Sequence, residues 1–175
     1  GKYIKRKKDE PITSHTRVIF TLDNEDKMCY DDSRSFGIMK LVPTHLVYEQ
    51  KEIAKLGPEP FTVTVDYLYS KLQKEKSEIK AALLNQEIMT GLGNIYVDEV
   101  LFKSKINPYR SSKSITKIEV ENIITNSIET LNKALELGGS TVSSYHPEKG
   151  VDGRFQNELV AYGKENCRCI NCSSI

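Results

Sequence analysis

Between two helical apolar patterns, residues 85–102 read NQEIMTGLGNIYVDEVLF, with Gly91 and Gly93 one residue apart and Asn94 beside them. A glycine inside a helix costs about 1 kcal/mol relative to alanine, so the pair marks an interruption rather than a continuation. Both glycines permit positive φ, and the chain is expected to reverse tightly after a helix ending near Met89. Asn94 then stands where an N-cap belongs, ahead of a helix carrying Ile95, Tyr96, Val100 and Leu101. The first amides of such a helix have no intrahelical acceptor, and the helix dipole adds partial positive charge there. A phosphate placed at that end meets ready donors. Helix, glycine turn and helix also form a unit that commonly grips a DNA backbone. A turn that merely caps two helices is the plain alternative, and the turn alone does not decide between them.

The flanking segments change period along the chain. RVIFTL at 17–22 alternates, with Val18, Phe20 and Leu22 on one face, and MCY at 28–30 and GIMKLV at 37–42 read as further strands. The chain already begins in strand-like sequence, and three short strands suggest part of an antiparallel β unit. After Pro43 a short helix is predicted over 44–56, and GPEP at 57–60 reads as a rigid linker. Helices follow at about 64–75, 78–89 and 95–104. The longest starts at Thr116, where Thr116 and Glu119 make a capping box. Its apolar stripe, Val120, Ile123, Ile124, Ile128, Leu131 and Leu135, is predicted to be core, with Gly138 as the stop. GGSTVSSYHPEKGVDGRF at 138–155 has no period, and a loop of that length in a compact domain is usually functional or disordered.

Composition bounds the function classes. With 38% apolar and 28% charged residues among 175, this is an ordinary globular composition. No apolar run is long enough to span a bilayer, and the start has no signal-peptide core, so a cytoplasmic location is expected. A net charge of +1 supplies no global field toward nucleic acid, although KYIKRKK at 2–8 and Lys103, Lys105, Arg110 and Lys113 are local basic clusters. Cys29 reads as a small buried hydrophobe, while Cys167, Cys169 and Cys172 crowd the tail. His15, His45 and His146 are scattered and make no metal-ligand spacing with the cysteines.

The wider string K-x-x-L-L-x-Q-x-x-x-x-G-x-G-N-I-Y-x-x-E-x-L-F, Lys80 to Phe102, with Ile106 and Pro108 behind it, resembles the helix–two-turn–helix signature of the formamidopyrimidine-DNA glycosylase and endonuclease VIII family. D-x-R-x-F-G at Asp32–Gly37, L-G-P-E-P at 56–60, G-G-S-T at 138–141 and F-Q-x-x-L-x-x-Y-G at 155–163 are similar to motifs of its formamidopyrimidine branch. The resemblance implies an α+β chain: a partial antiparallel β-sandwich over 1–43, a linker over 44–60, a helical helix–two-turn–helix domain over 61–155 with a lesion loop at 138–155, and the start of a zinc finger over 156–175.

It also implies roles for individual residues. Base-acting enzymes take their target out of the stack, and Arg34 and Phe36 match the arginine and phenylalanine that fill the gap; guanidinium donors reach base edges and an aromatic ring intercalates. The alternative for the pair is a salt-bridged arginine and a core phenylalanine. Lys80, Asn94 and Tyr162 match phosphate contacts. Glu99 matches a carboxylate near the nucleophile in relatives, the alternative being a surface ion pair. Ser140 and Thr141 lie in the loop that closes on the flipped base, and the Ser140 carbonyl would accept N7–H of 8-oxoguanine, a donor that guanine lacks.

Cys169 and Cys172 match the first pair of a four-cysteine zinc site, of which this chain supplies at most three ligands, with Cys167 extra. The family's nucleophile is an N-terminal proline beside a glutamate; the prolines here are internal, so the chain alone is expected to lack glycosylase and lyase activity. Damaged double-stranded DNA is the implied partner of a monomeric bacterial base-excision repair enzyme. An endonuclease VIII-like enzyme for oxidised pyrimidines, a non-catalytic DNA-binding relative, and a helical protein–protein module are the alternatives.

Overall fold

Alternating side chains build the first element of the fold, a three-stranded antiparallel sheet ordered β1-β3-β2, from β1 (Lys2–Arg6), β2 (Thr16–Thr21) and β3 (Lys27–Asp31). The computed structural model describes residues 1–140 and 153–174. Ile4 and Ile19 both register with Cys29 on the central strand, and the Cys29 side chain is fully buried, as a small hydrophobe would be. The register of β2 slips between Thr16 and Val18. At that end Asp31 accepts hydrogen bonds from Thr16 Oγ1 at 2.6 Å, Arg6 Nη2 at 2.8 Å and Thr13 Oγ1 at 3.2 Å. The basic cluster of 2–8 is largely spent within the sheet: Lys7 lies 3.2 Å from Asp26, and Lys8 lies 2.7 Å from Glu25.

The expected strand at 37–42 does not form. Ile38 is 79% exposed and Leu41 fully so, and the run pairs with none of the described strands. An apolar run becomes a strand only where a neighbouring edge accepts its ladder. Nor is 44–56 one helix: a 3-10 turn at Thr44–Leu46 and a single α-turn, α1 (Lys51–Ala54), replace it, and neither buries a side chain. Short helices without a buried face are not sustained.

The chain divides into two units, Gly1–Val47 and Tyr48–Ile175, with the division inside the 44–60 stretch. The second unit contains α2 (Val65–Leu72), α3 (Ile79–Leu84), α4 (Asn94–Lys103) and α5 (Lys117–Glu136). Thr64 caps α2 by accepting the Tyr67 amide. Helix α5 starts in the predicted capping box, with Thr116 Oγ1 accepting the Glu119 amide and Glu119 accepting the Thr116 amide. Arg110 also grips Glu119 at 2.5 Å, and that guanidinium, with the Thr116 amide, pulls the Glu119 carboxyl down to about 2. Leu68, Leu72, Ile79, Leu83, Val97, Val100, Val120 and Ile123 form the core between these helices. At the far end of the stripe Leu135 is 74% exposed, so it is not core as predicted. Helix α3 stops at Leu84 instead of running to Met89, because Asn85 turns extended and its Oδ1 takes the Glu87 amide. Gly57 then packs against this stretch: its amide donates to Gln86 O at 2.8 Å, and a Cβ would lie 2.5 Å from Ile88 O.

Candidate nucleic-acid interface

The turn between α3 and α4 is held by one side chain. Gln86 Oε1 accepts the Gly91 amide at 2.9 Å and the Thr90 hydroxyl at 3.1 Å, while its Nε2 donates to Leu92 O at 2.9 Å and Leu84 O at 3.1 Å. Ile88, Met89 and Leu92 beneath it are buried. Gly91 has φ 97°, a left-handed conformation that needs glycine. Gly93 does not use that freedom: it is the N-cap, with φ −110° and ψ −177°, and Asn94 is the first helical residue rather than the cap. Extended backbone is open to any residue, and a Cβ at Gly93 would meet nothing within 4 Å. The first intrahelical bond runs from Val97 N to Gly93 O. Among the described residues the amides of Asn94, Ile95 and Tyr96 have no acceptor, and Asn94 is exposed. An anion thus has free donors and unobstructed access at this end.

Around this helix start the other expected contacts take definite places. Lys80, second residue of α3, is ion-paired to Asp98 of α4 at 2.7 Å. Glu99 is 1% exposed and is no surface ion pair. Its carboxylate accepts three successive amides, Val160 at 3.1 Å, Ala161 at 2.9 Å and Tyr162 at 2.9 Å. Buried carboxylates need such donors; here they tie the Tyr162 segment to α4. Ser140 follows Gly138 (φ 72°) and Gly139 (φ 84°) at the end of α5. The two feet of the loop are joined there, since Arg154 N donates to Leu137 O and Phe155 N to Gly139 O. A Cβ on Gly153 would lie 2.2 Å from Gly139 O, so only glycine fits that seam. Ser140 and Tyr96, in the first turn of α4, line one cavity of about 410 Å³. Among the described residues the Ser140 Oγ is buried without a partner. Thr141 lies outside the described residues, as does most of the expected lesion loop.

In the first unit, Asp32 shapes the tip that carries Arg34 and Phe36. Its carboxylate accepts the Gly37 amide at 2.8 Å and the Arg34 amide at 3.2 Å, and Ser35 takes φ 55°. The Gly37 amide is the main reason the Asp32 carboxyl titrates below its ordinary value. Phe36 is 73% exposed, and the Arg34 guanidinium stacks over its ring at 4.6 Å. Phe36 is therefore not in the core, and the Arg34 guanidinium lies on its ring instead of on a carboxylate among the described residues.

The tail presents its cysteines in tight turns. The Asn171 amide points at Cys169 Sγ at 3.4 Å, and the Ser174 hydroxyl, 2.9 Å from Cys172 Sγ, lowers that thiol's pKa. A turn that favours thiolate suits a metal, but no group of three or more ligand side chains converges among the described residues.

The sequence model of the formamidopyrimidine-DNA glycosylase H2TH domain matches residues 56–146, just over half of the chain. The chain belongs to this family. The turn between α3 and α4, Gln86–Asn94, lies inside the matched residues. Formamidopyrimidine-DNA glycosylase of Bacillus anthracis is 43% identical across the whole chain, and that of Oceanobacillus iheyensis 39% across 99% of it. The chain spans 64% of the length of the first of these relatives and 63% of the second. Among solved structures, a mutant Lactococcus lactis FPG in complex with Fapy-dG-containing DNA superposes with a TM-score of 0.89 at 34% identity, covering 99% of this chain and 64% of that one. The Lactococcus lactis Fpg complex with abasic-site DNA gives 0.88 at 35% with the same coverage, and MutM (FPG) protein from Thermus thermophilus gives 0.80 at 32%, covering 99% and 65%.

Sequence reasoning did not assign Gln86, Asp32 or the amides of 160–162. Gln86 and Asp32 stand as letters inside the two motifs, and that was their only signal. The partners of Glu99 lie 61 to 63 residues away, beyond any local pattern.

Proposed function

We propose that the protein containing this chain is a base-excision DNA repair enzyme that binds damaged duplex DNA, removes oxidised purines such as 8-oxoguanine and formamidopyrimidines, and cleaves the resulting abasic site. The observation that carries this is the unobstructed donor array of Asn94, Ile95 and Tyr96 behind a glycine whose side-chain space is empty. Among the described residues no neighbour fills the side-chain space at Gly93, which leaves room for an external backbone to approach. Membership of the H2TH family and likeness to proteins solved with abasic-site and Fapy-dG DNA support the assignment.

In this scheme Lys80, the α4 amides and Tyr162 hold phosphates, and the Arg34–Phe36 tip fills the gap left by the extruded base. The Ser140 carbonyl reads N7–H of the lesion. Glu99 supports by position, since its oxygens are committed to three amides. The family's proline nucleophile is assigned to no residue here, because every proline has its nitrogen in an internal amide. Cys169 and Cys172 supply two of four ligands to a structural zinc that would order the tail. The enzyme acts as a cytoplasmic monomer.

Gly93→Val in the intact protein tests the central contact. It should leave the melting temperature unchanged and weaken binding of a duplex carrying an abasic-site analogue by about tenfold, the loss of one or two charge-assisted bonds. Equal affinity would remove the basis of the proposal. Release of thymine glycol in preference to 8-oxoguanine would move the enzyme to the endonuclease VIII branch.

A further inference from the structure

Lys80 is not a free cation. Its ammonium lies 2.7 Å from Asp98 Oδ1, with the two side chains 36% and 23% exposed. The start of α3 is pinned, since the Ile79 amide donates to Arg110 O at 2.8 Å and the Lys80 amide to Pro108 O at 3.3 Å. Asp98 follows Asn94 by four residues in α4, so the two share one face a single turn apart. Helical side chains lean toward the N-terminus, so Asp98 is expected to lean to the end of α4 that carries the free amides of Asn94, Ile95 and Tyr96. No acidic residue stands in the first turn of α4, leaving Asp98 as the first carboxylate along this helix. A negative charge so placed opposes a phosphate twice: it repels the anion, and it occupies the lysine meant for it.

We propose that Asp98 is an affinity-setting residue, a built-in counter-charge that weakens the grip of Lys80 and the α4 start on any DNA backbone. This rests on the phosphate-contact role given to Lys80 above. Backbone contacts carry no sequence or lesion information and supply most of non-specific binding. Asp98 therefore subtracts from damaged and undamaged duplex alike, and shortens residence on DNA that offers no lesion.

Fluorescence anisotropy over a salt series tests this with the intact protein, on an undamaged duplex and on one carrying an abasic-site analogue. Asp98→Asn should tighten both by the same factor, about three- to tenfold, by removing one screened repulsion. It should also steepen the slope of log affinity against log salt by up to about 0.9, as Lys80 becomes a full phosphate partner. Lys80→Met should weaken both duplexes, and in that background the slope change from Asp98→Asn should vanish. Melting temperatures should not move, because the pair is partly solvated. If Asp98→Asn leaves affinity unchanged or lowers it while Lys80→Met weakens binding, the counter-charge idea is wrong and Lys80 remains a phosphate contact. A slope change that persists in the Lys80→Met background also overturns it. If Lys80→Met alters neither affinity nor slope, the role given to Lys80 fails, and the counter-charge with it.

Discussion

At the 32–37 tip one buried, ionised carboxylate folds a turn whose residues 33–37 are all exposed. At the 85–93 turn a neutral amide, Gln86, clamps the backbone over buried Ile88, Met89 and Leu92. Both turns present candidate DNA contacts, yet their stability comes from different sources. The side-chain bonds of the tip converge on the Asp32 carboxylate, so they can be weakened by acid without disturbing a core. The helical turn depends on burial, so it is rigid and insensitive to pH, as a pre-formed donor array requires. Glu99 extends the second strategy, with a carboxylate so enclosed that it acts as a structural joint between α4 and residues 160–162.

The largest expected effect is at that joint. Glu99→Ala should cost about 3–5 kcal/mol by urea denaturation, since it strips three amides of their acceptor; a loss below about 1 kcal/mol would show that water replaces the carboxylate freely. Next, Leu92→Ala should cost about 2–4 kcal/mol through the cavity it leaves, whereas Phe36→Ala should stay within about 0.5 kcal/mol while weakening DNA binding. Comparable destabilisation by both would erase the contrast between core-held and charge-held turns.

Gly91→Ala should cost about 1 kcal/mol, the strain of a left-handed alanine. Acid should then separate the two turns with the smallest signal. Asp32 is depressed below the ordinary carboxylate pKa of about 3.9, so its bonds to Gly37 and Arg34 are complete above that value and lost as pH falls below it. Amide resonances of Arg34 and Gly37 should shift in that window while Gly91, held by Gln86, does not move. Over a similar range the start of α5 should loosen, because Glu119 is lowered from 4.5 to about 2 and its contribution disappears as pH falls between those values. A Gly91 resonance that titrates with the tip would refute the distinction.

Much of the helical unit was legible because its signals are local. The capping box at Thr116 and Glu119, the positive φ at Gly91 and Gly138, and the buried stripe through Val120, Ile123 and Ile124 need only neighbours within a few residues. Local pattern misled where a run found no strand to pair with or where a neighbouring residue took the capping or turn position. Residues 37–42 read as a strand but pair with no described strand, and α3 gives way at Leu84, where Asn85 Oδ1 takes the Glu87 amide. Asn94 looked like a cap by residue type, yet Gly93 takes the N-cap position and Asn94 enters the helix. The Arg34–Phe36 tip was read from its motif, but the stacking of the pair and the part played by Asp32 were not.

By itself the amino-acid order determined where this chain turns and where its helices start, since caps, glycines and apolar periods act over distances of one helical turn. It also determined the family, through a string of letters from Lys80 to Phe102. Only the tertiary structure decided which polar groups are spent and which are free: that Lys80 is paired, that Glu99 is sealed against three distant amides, and that the amides after Gly93 face open space. Pairing and burial are settled by which segments meet, and those segments meet because the core beneath them excludes water.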